Sequence, residues 1–445
     1  MNIRLSDHFS YKKLLRFTLP SIAMMIFTSI YGVVDGFFVS NFVGKTPFAA
    51  VNFIMPFLMI LGAFGFMFGT GGSALVAKTM GEGDRERANK IFSLIVYVSL
   101  AVGIVIAVTG IIFLRPVARL LGAEGELLEN CVKYGRIILI AIPAFMLQFE
   151  FQSFFVAAEK PKLGLAVTVA AGVTNMVLDA LLVGLLPLGL VGAALATAVS
   201  QCVGGIVPVV YFMRKNNTSL LRLCKTEFDG KVLLKTCVNG SSELMSNISF
   251  SLVGMLYNIQ LLSYAGENGV AAYGVLMYVN FIFISAFIGY SVGSAPVVGY
   301  NFGAGNKAEL KSLLRKSLVI VGCFSVFMVV AAELLARPFG MLYVGYDAEL
   351  LEMTVTGFVI SSFSFLFSGM AIYGSSFFTA LNDGLTSALI SFLRTLVFQV
   401  AAVIIFPLIW GIDGIWVSIV AAELMATLTT ALFLMIKRKK YGYFG

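Results

Sequence analysis

The chain has 445 residues, of which 59% are hydrophobic and 12% charged, with a formal net charge of +8. A soluble domain carries roughly 25% charged residues. Half that density cannot clothe a globule of this size in water, so a cytosolic enzyme, a secreted protein and a disordered chain are excluded. What remains is an all-α polytopic membrane protein.

The first apolar run follows Lys12, Lys13 and Arg16. It is longer than a signal-peptide core and lacks a small-residue cleavage pattern, so it reads as a retained first span. A span needs about 20 apolar residues. Six such runs lie at 17–39, 48–77, 91–113, 134–157, 163–185 and 190–213, and six more at 237–262, 271–298, 313–335, 354–379, 385–406 and 412–436. Lys and Arg gather in alternate connections. They stand before span 1, after span 2 (Lys78, Arg85, Arg87, Lys90), after span 6 (Arg214, Lys215, Arg222, Lys225, Lys231, Lys235), after span 8 (Lys307, Lys311, Arg315, Lys316) and at the C-terminus. By the positive-inside rule both termini are expected in the cytoplasm and the chain in the plasma membrane, crossed many times. The same asymmetry accounts for the basic balance without a nucleic-acid partner.

The two halves align at a constant offset of 222 positions: Gly32 with Gly254, Gly44 with Gly266, Gly81 and Gly83 with Gly303 and Gly305, Arg115-Pro116 with Arg337-Pro338, and Gly189 with Gly411. Each half has an even number of spans, so both enter the membrane in the same sense. The expected architecture is two six-helix lobes, 1–213 and 237–445, related by a pseudo-two-fold axis along the membrane normal and joined by a cytoplasmic linker, 214–236. Such a duplication points to a transporter with its substrate between the lobes.

Several chemistries are missing. Val39 to Thr46 ends in Gly-Lys-Thr, but Val39 occupies the first glycine position of a phosphate-binding loop. Transport is then expected to run on an ion gradient or on the substrate's own gradient. One histidine, His8, and five cysteines without a CxxC offer no metal cluster and no nucleophile–base pair, so the chain is not expected to be an enzyme and needs no cofactor. Gly65 and Gly69 form a small-xxx-small pair, read as close helix packing in preference to a hinge.

An ionisable group inside the bilayer costs at least ~2.5–3.5 kcal/mol on insertion scales. Asp35 lies near the outer end of span 1. Asn175 and Asp179 share one face of span 5 at i, i+4. Thr197 lies about two turns into span 6 from its outer end. At the same offset the second half has Tyr257, Val397, Ala401 and Ile419, so this polar set belongs to the N-terminal lobe alone. Two carboxylates, an amide and a hydroxyl offer oxygen donors for a hard cation or a shared proton. The competing reading is a hydrogen-bonded network that only holds three helices together. Arg394 and Glu423 fall near mid-membrane and are expected to neutralise each other as a structural ion pair. Glu150 lies in the inner half of span 4, and Glu243 near the inner end of span 7, where snorkelling is cheap. A substrate cavity between the lobes is expected from Phe145, Met146, Gln148, Phe149 and Gln152 of span 4 and Met277, Tyr278, Asn280 and Phe281 of span 8.

These residues resemble the multidrug and toxic compound extrusion (MATE) family. The resemblance rests on Asp35 within Tyr-Gly-Val-Val-Asp-Gly, on Asn175-Met-Val-Leu-Asp179, and on the run from Gly189 through Gly192 and Thr197 to Gln201, and it covers essentially the whole chain. It implies a secondary active antiporter that exports amphipathic, often cationic drugs in exchange for Na+ or H+, and that functions as a monomer. It also implies that Asp35, Asn175, Asp179 and Thr197 form the cation-binding and coupling site, with no metal beyond Na+. Span 10 offers Ser361, Ser364, Ser368, Ser375 and Ser376 but no Asp or Glu, so a second cation site of the kind found in one branch of the family is not expected. The alternative within the same superfamily is a lipid-linked oligosaccharide flippase.

Overall fold

The computed structural model describes residues 3–214 and 219–443, and among these every regular element is helical. Residues 215–218 of the expected linker, Lys215 included, lie outside the described residues.

The N-terminal lobe is built of α1 (Tyr11–Phe38, prolonged by the π-turn Val39–Val43), α2 (Lys45–Gly81), α3 (Arg85–Leu120), α4 (Gly125–Ala157), α5 (Pro161–Asp179, prolonged by the π-turn Ala180–Leu185) and α6 (Gly189–Met213). The next helical stretch, Gly230–Gly303, has 74 residues. At 1.5 Å per residue it would measure roughly 110 Å, far more than a bilayer admits. It is broken at Gly266, with φ 61° and ψ −153°. Tyr257 stacks on Tyr273 at 5.3 Å and Phe250 meets Phe281 at 6.4 Å, so the arms fold back as a hairpin of α7 (230–265) and α8 (267–303). Then come α9 (Lys307–Val344) and α10, whose pieces Ala348–Ser362 and Phe365–Ala380 meet at 50°. The last two are α11 (Gly384–Phe392, the π-turn Leu393–Val397, Phe398–Ile405) and α12 (Pro407–Tyr441). Ten described helices are long and apolar enough to cross a membrane and the bent α10 is an eleventh; opening the hairpin into its two arms gives twelve.

The backbone repeats with the sequence. Gly44 and Gly266, Gly83 and Gly305, and Gly189 and Gly411 all have positive φ, where a Cβ would be strained. The caps repeat too: Asp84 accepts from the Arg87 backbone N–H at the start of α3, and Asn306 accepts from that of Glu309 at the start of α9. Residues 219–229 leave the helices and run along α3. Asn89 accepts from the Arg222 N–H at 2.8 Å, the Cys224 N–H donates to Ser93 Oγ at 2.9 Å, and Leu221 is fully buried.

One continuous apolar core crosses both lobes, running from Leu5 and Phe9 through Phe92 and Phe154 to Tyr290, Phe377 and Tyr443. It lies toward the face that carries both termini. Toward the opposite face the core divides. One part is confined to residues 39–194 and the other to residues 253–419. The lobes are therefore fused at the terminal face and separate at the other.

Candidate functional site

Three helices bring the intramembrane polar residues together, and glycines let them approach. A Cβ on Gly172 of α5 would fall 2.4 Å from the Phe27 ring of α1, and one on Gly192 of α6 would fall 2.8 Å from the carbonyl oxygen of Leu182, in the π-turn after Asp179. Asp35 lies roughly 36 Å along α1 from Tyr11, near the face opposite the termini. Thr197 is two turns into α6 from that same face.

Thr197 Oγ1 donates to Asp35 Oδ1 at 3.3 Å, and Asn175 Nδ2 donates to Thr197 Oγ1 at 3.5 Å. Both contacts are long. Asp179 is fully buried and Asn175 is 1% exposed. Among the described residues neither Asp179 oxygen has a donor, and neither does the Asn175 carbonyl oxygen. Asp179 also lies close enough to Asp35 for the two carboxyl groups to interact directly. The structure thus gathers Asp35, Asn175, Asp179 and Thr197 into one cluster whose acceptors outnumber its donors. Side-by-side carboxylates repel unless a proton or a cation sits between them, and orphaned buried acceptors cost about 1–3 kcal/mol each. Among the described residues no group of three or more His, Cys, Asp or Glu is placed to hold a metal ion.

Arg394 sits in the π-turn of α11, and its Nε donates to both oxygens of Glu423 on α12, at 2.8 and 3.1 Å. All three π-turns among the described residues thus adjoin an intramembrane charge: Val39–Val43 follows Asp35 by four residues, Ala180–Leu185 follows Asp179 directly, and Leu393–Val397 contains Arg394. Such insertions re-aim side chains and recur at functional positions.

The nine residues expected to wall a substrate cavity fall into two groups. Phe149 stacks on Phe66 of α2 at 3.8 Å and against Phe145 at 4.5 Å. The Met146 backbone abuts Gly65, and Gln148 abuts Gly204 of α6. Gln152 is buried, and its amide has no partner among the described residues. These five pack within the N-terminal lobe, because α4 is its central helix and is buried nearly all round. On α8, Tyr278 and Phe281 are about half exposed, and Met277 and Asn280 are partly buried. None of the nine lines the cavity of about 100 Å³ that the structure places between the lobes. Its walls are hydroxyl-rich, with Thr70, Ser73 and Ser153 from the N-terminal lobe facing Glu243, Ser291 and Arg394 from the other.

A family model described as MatE matches residues 20–181 and again residues 244–405, once in each lobe. The chain belongs to the MatE family. Members of the MatE family are transporters and not enzymes. A curated relative, the multidrug export protein MepA of Staphylococcus saprophyticus, is 24% identical over 436 residues, covering 97% of this chain and 94% of the relative. Among solved structures, a MATE protein in complex with MaL6 superposes with a TM-score of 0.93 at 22% identity, covering 98% of each chain. A multidrug resistance MATE family transporter in an outward-facing conformation gives 0.91 at 23% identity, again over 98% of each. The MatE chain is thus an all-helical, multi-pass membrane protein with the MATE fold.

Two residues of this MatE member join the polar cluster without having been read from the sequence. Tyr31 stands one helical turn before Asp35 on α1, and lies beside Gln148 and within electrostatic range of Asp35. Its i, i+4 spacing is a signal the sequence carries. Tyr134 of α4 is buried, with its hydroxyl beside Thr197 and near both carboxyl groups. No local pattern marks it, because α4 reaches the cluster only through the tertiary fold.

Proposed function

We propose that this chain is a secondary active antiporter of the plasma membrane, exporting amphipathic, often cationic drugs in exchange for Na+ or H+. The observation that carries this reading is the cluster of Asp35, Asn175, Asp179 and Thr197, with three buried acceptor oxygens left without donors among the described residues. A bound Na+ would take those oxygens as ligands. A proton shared by Asp35 and Asp179 would remove the repulsion instead. The MepA name of the relatives supports a drug as the cargo. The basic connections support cytoplasmic termini, which makes the divided face the outer one and leaves the cluster loadable from outside. The antiporter works as a monomer, each lobe supplying one wall of the path.

In this mechanism the cation and a cationic drug compete for the ionised carboxylates. Loading the cation weakens the hold on the drug, the drug leaves outward, and the lobes rock to face inward. Linkage requires the drug to weaken cation binding by the same factor. A lipid-linked oligosaccharide flippase would need several basic side chains for its pyrophosphate. Among the described residues the cavity between the lobes offers Arg394 alone, already paired with Glu423. Equilibrium binding of a permanently charged lipophilic cation to the purified protein, across Na+ concentration and pH, tests the antiporter. Apparent affinity falls as Na+ or H+ rises; affinity indifferent to both would remove the competition.

A further inference from the structure

Glu150 is an intramembrane carboxyl that the cation cluster does not use. It stands on α4 roughly 10 Å from the end of that helix at the terminal face, whereas Asp35 and Asp179 lie toward the opposite face. The residue is fully buried, and neither of its carboxylate oxygens has a partner among the described residues. Ser99 of α3 lies beside it, its own hydroxyl likewise unpartnered among them. From another side α2 presses close: a Cβ on Gly69 would fall 2.8 Å from the Glu150 Cα. At the 222-residue offset Glu150 meets Ile372 and Ser99 meets Val321, so the second lobe has no counterpart.

The helices packed on it bring no basic side chain to neutralise it. Between Thr46 and Ala77 on α2, Ile91 and Leu114 on α3, and Gly189 and Met213 on α6 the sequence has no charged residue, and between Ile137 and Ala157 on α4 it has only Glu150. Arg394 and Glu243 stand across the cavity between the lobes, and Arg394 is engaged by Glu423. An ionised carboxylate shut away from water without a counter-charge is strongly disfavoured, so the group must carry a neutralising cation. Two carboxylate oxygens and one hydroxyl are too few to replace the hydration shell of a metal ion. A proton needs one oxygen only, and its route is short. Ser153, one turn along the same helix, and Thr70, next to Gly69, both line the cavity between the lobes. The carboxyl thus lies directly behind the cavity wall, buried while the terminal face is closed and within reach of water once the lobes part there.

We propose that Glu150 is a second coupling site of the N-terminal lobe and binds one proton. It holds the proton while the lobes are closed at the terminal face, gives it to water when they open there, and takes up another when the cavity opens to the opposite face. The proposal rests on the antiporter reading and deepens it: each drug leaves in exchange for one proton at Glu150, in addition to the cation held by Asp35 and Asp179.

The test uses full-length protein in liposomes, with the membrane potential held at zero and ethidium, a permanently charged lipophilic cation, as the probe. Under an about tenfold proton gradient, each coupled proton multiplies the final ethidium concentration ratio by about ten. Glu150→Gln keeps the size of the side chain but cannot take up a proton, and is expected to lose one such factor of about ten, whichever cation the cluster takes. Glu150→Asp keeps a carboxyl and is expected to keep the wild-type ratio. A second readout needs no transport: a component of the infrared C=O stretch of protonated carboxylic acids is expected in the wild type at neutral pH and is missing from Glu150→Gln. Equal ratios in wild type and Glu150→Gln overturn the proposal and leave the antiporter standing. A loss shared equally by Glu150→Gln and Glu150→Asp marks a packing role and overturns it too, as does an infrared band that Glu150→Gln does not diminish. A wild type that concentrates no ethidium under either a proton or a Na+ gradient removes the export reading, and the second coupling proton with it.

Discussion

Gly81 and Gly303 close the terminal face as a symmetric pair. A Cβ on Gly81 would stand 2.0 Å from the carbonyl oxygen of Tyr300, and a Cβ on Gly303 would stand 2.0 Å from that of Lys78. The 222-residue offset that relates the two glycines also relates Lys78 to Tyr300, so α2 and α8 cross on the pseudo-two-fold axis with backbone touching backbone. Asn239 reinforces the closure from α7, donating to the carbonyl oxygens of Gly71 at 3.4 Å and Thr379 at 3.0 Å. A side chain at either glycine must push the lobes apart here, because backbone cannot yield as a flexible side chain does. Gly81→Val and Gly303→Val are therefore expected to shift the protein toward the state open at the terminal face. Spin labels at Glu86 and Lys311, one on each lobe, report it. The distance between them lengthens in each variant; an unchanged distance would show that the crossing does not hold the closed state.

Asp35→Asn and Asp179→Asn are expected to abolish coupled efflux while the protein still inserts and folds. Each removes one charge from a pair that is repulsive when no cation is bound, so stability should hold or rise. Asn175→Ala removes one neutral oxygen and should weaken coupling less. Drug efflux in membrane vesicles and thermal unfolding of each purified variant are read together. Full efflux by Asp35→Asn would remove the site; unfolding of every variant would reduce the cluster to a structural network.

Much of this is legible in the sequence. The repeat, the spans and the polar cluster follow from glycine spacing, hydropathy and the cost of charge in lipid, and these depend on local residues. The facing of α4 does not follow. A helix apolar on all sides has no stripe to say which neighbour it meets, so Phe145 and Phe149 read equally well as cavity wall or as packing against α2. Glu243 was hidden for a related reason. Near a helix end a carboxylate can snorkel, and only the tertiary fold shows that this one borders the space between the lobes. Tyr134 reaches the cluster from a distant helix, which one sequence cannot reveal.

Arg394 and Glu423 are 14% and 7% exposed in their side chains. Breaking such a pair by Arg394→Leu or Glu423→Gln leaves an uncompensated charge, at a cost of about 3 kcal/mol. The double variant should recover part of that loss. Thermal unfolding of the four proteins gives the coupling energy, and strictly additive losses would show that the two side chains do not interact energetically.

Asp383, in the turn between α10 and α11, ties down the C-terminus. Its carboxylate accepts from the Tyr441 hydroxyl at 2.7 Å and from the Thr386 backbone N–H at 3.4 Å, and Lys437 lies 3.4 Å away. Burial pushes this carboxyl up, but Tyr441, Thr386 and Lys437 together outweigh burial and hold it below its ordinary 3.8. A lowered folded value means that the stabilisation is full above the ordinary value and is lost as pH falls through the lowered one. Asp383→Asn should thus unfold at a lower temperature than the wild type at neutral pH, with the gap closing as pH falls below about 4. A gap that stays constant with pH would mean that the charge of Asp383 contributes nothing.

Transport by purified protein in liposomes, with Na+ and H+ gradients imposed separately, decides whether the cluster couples cation entry to drug exit. The expected result is drug movement against its own gradient when one of the two cations is supplied from the opposite side, and none in the Asp35→Asn variant. Drug movement that ignores both gradients, or that proceeds equally in wild type and Asp35→Asn, would contradict it.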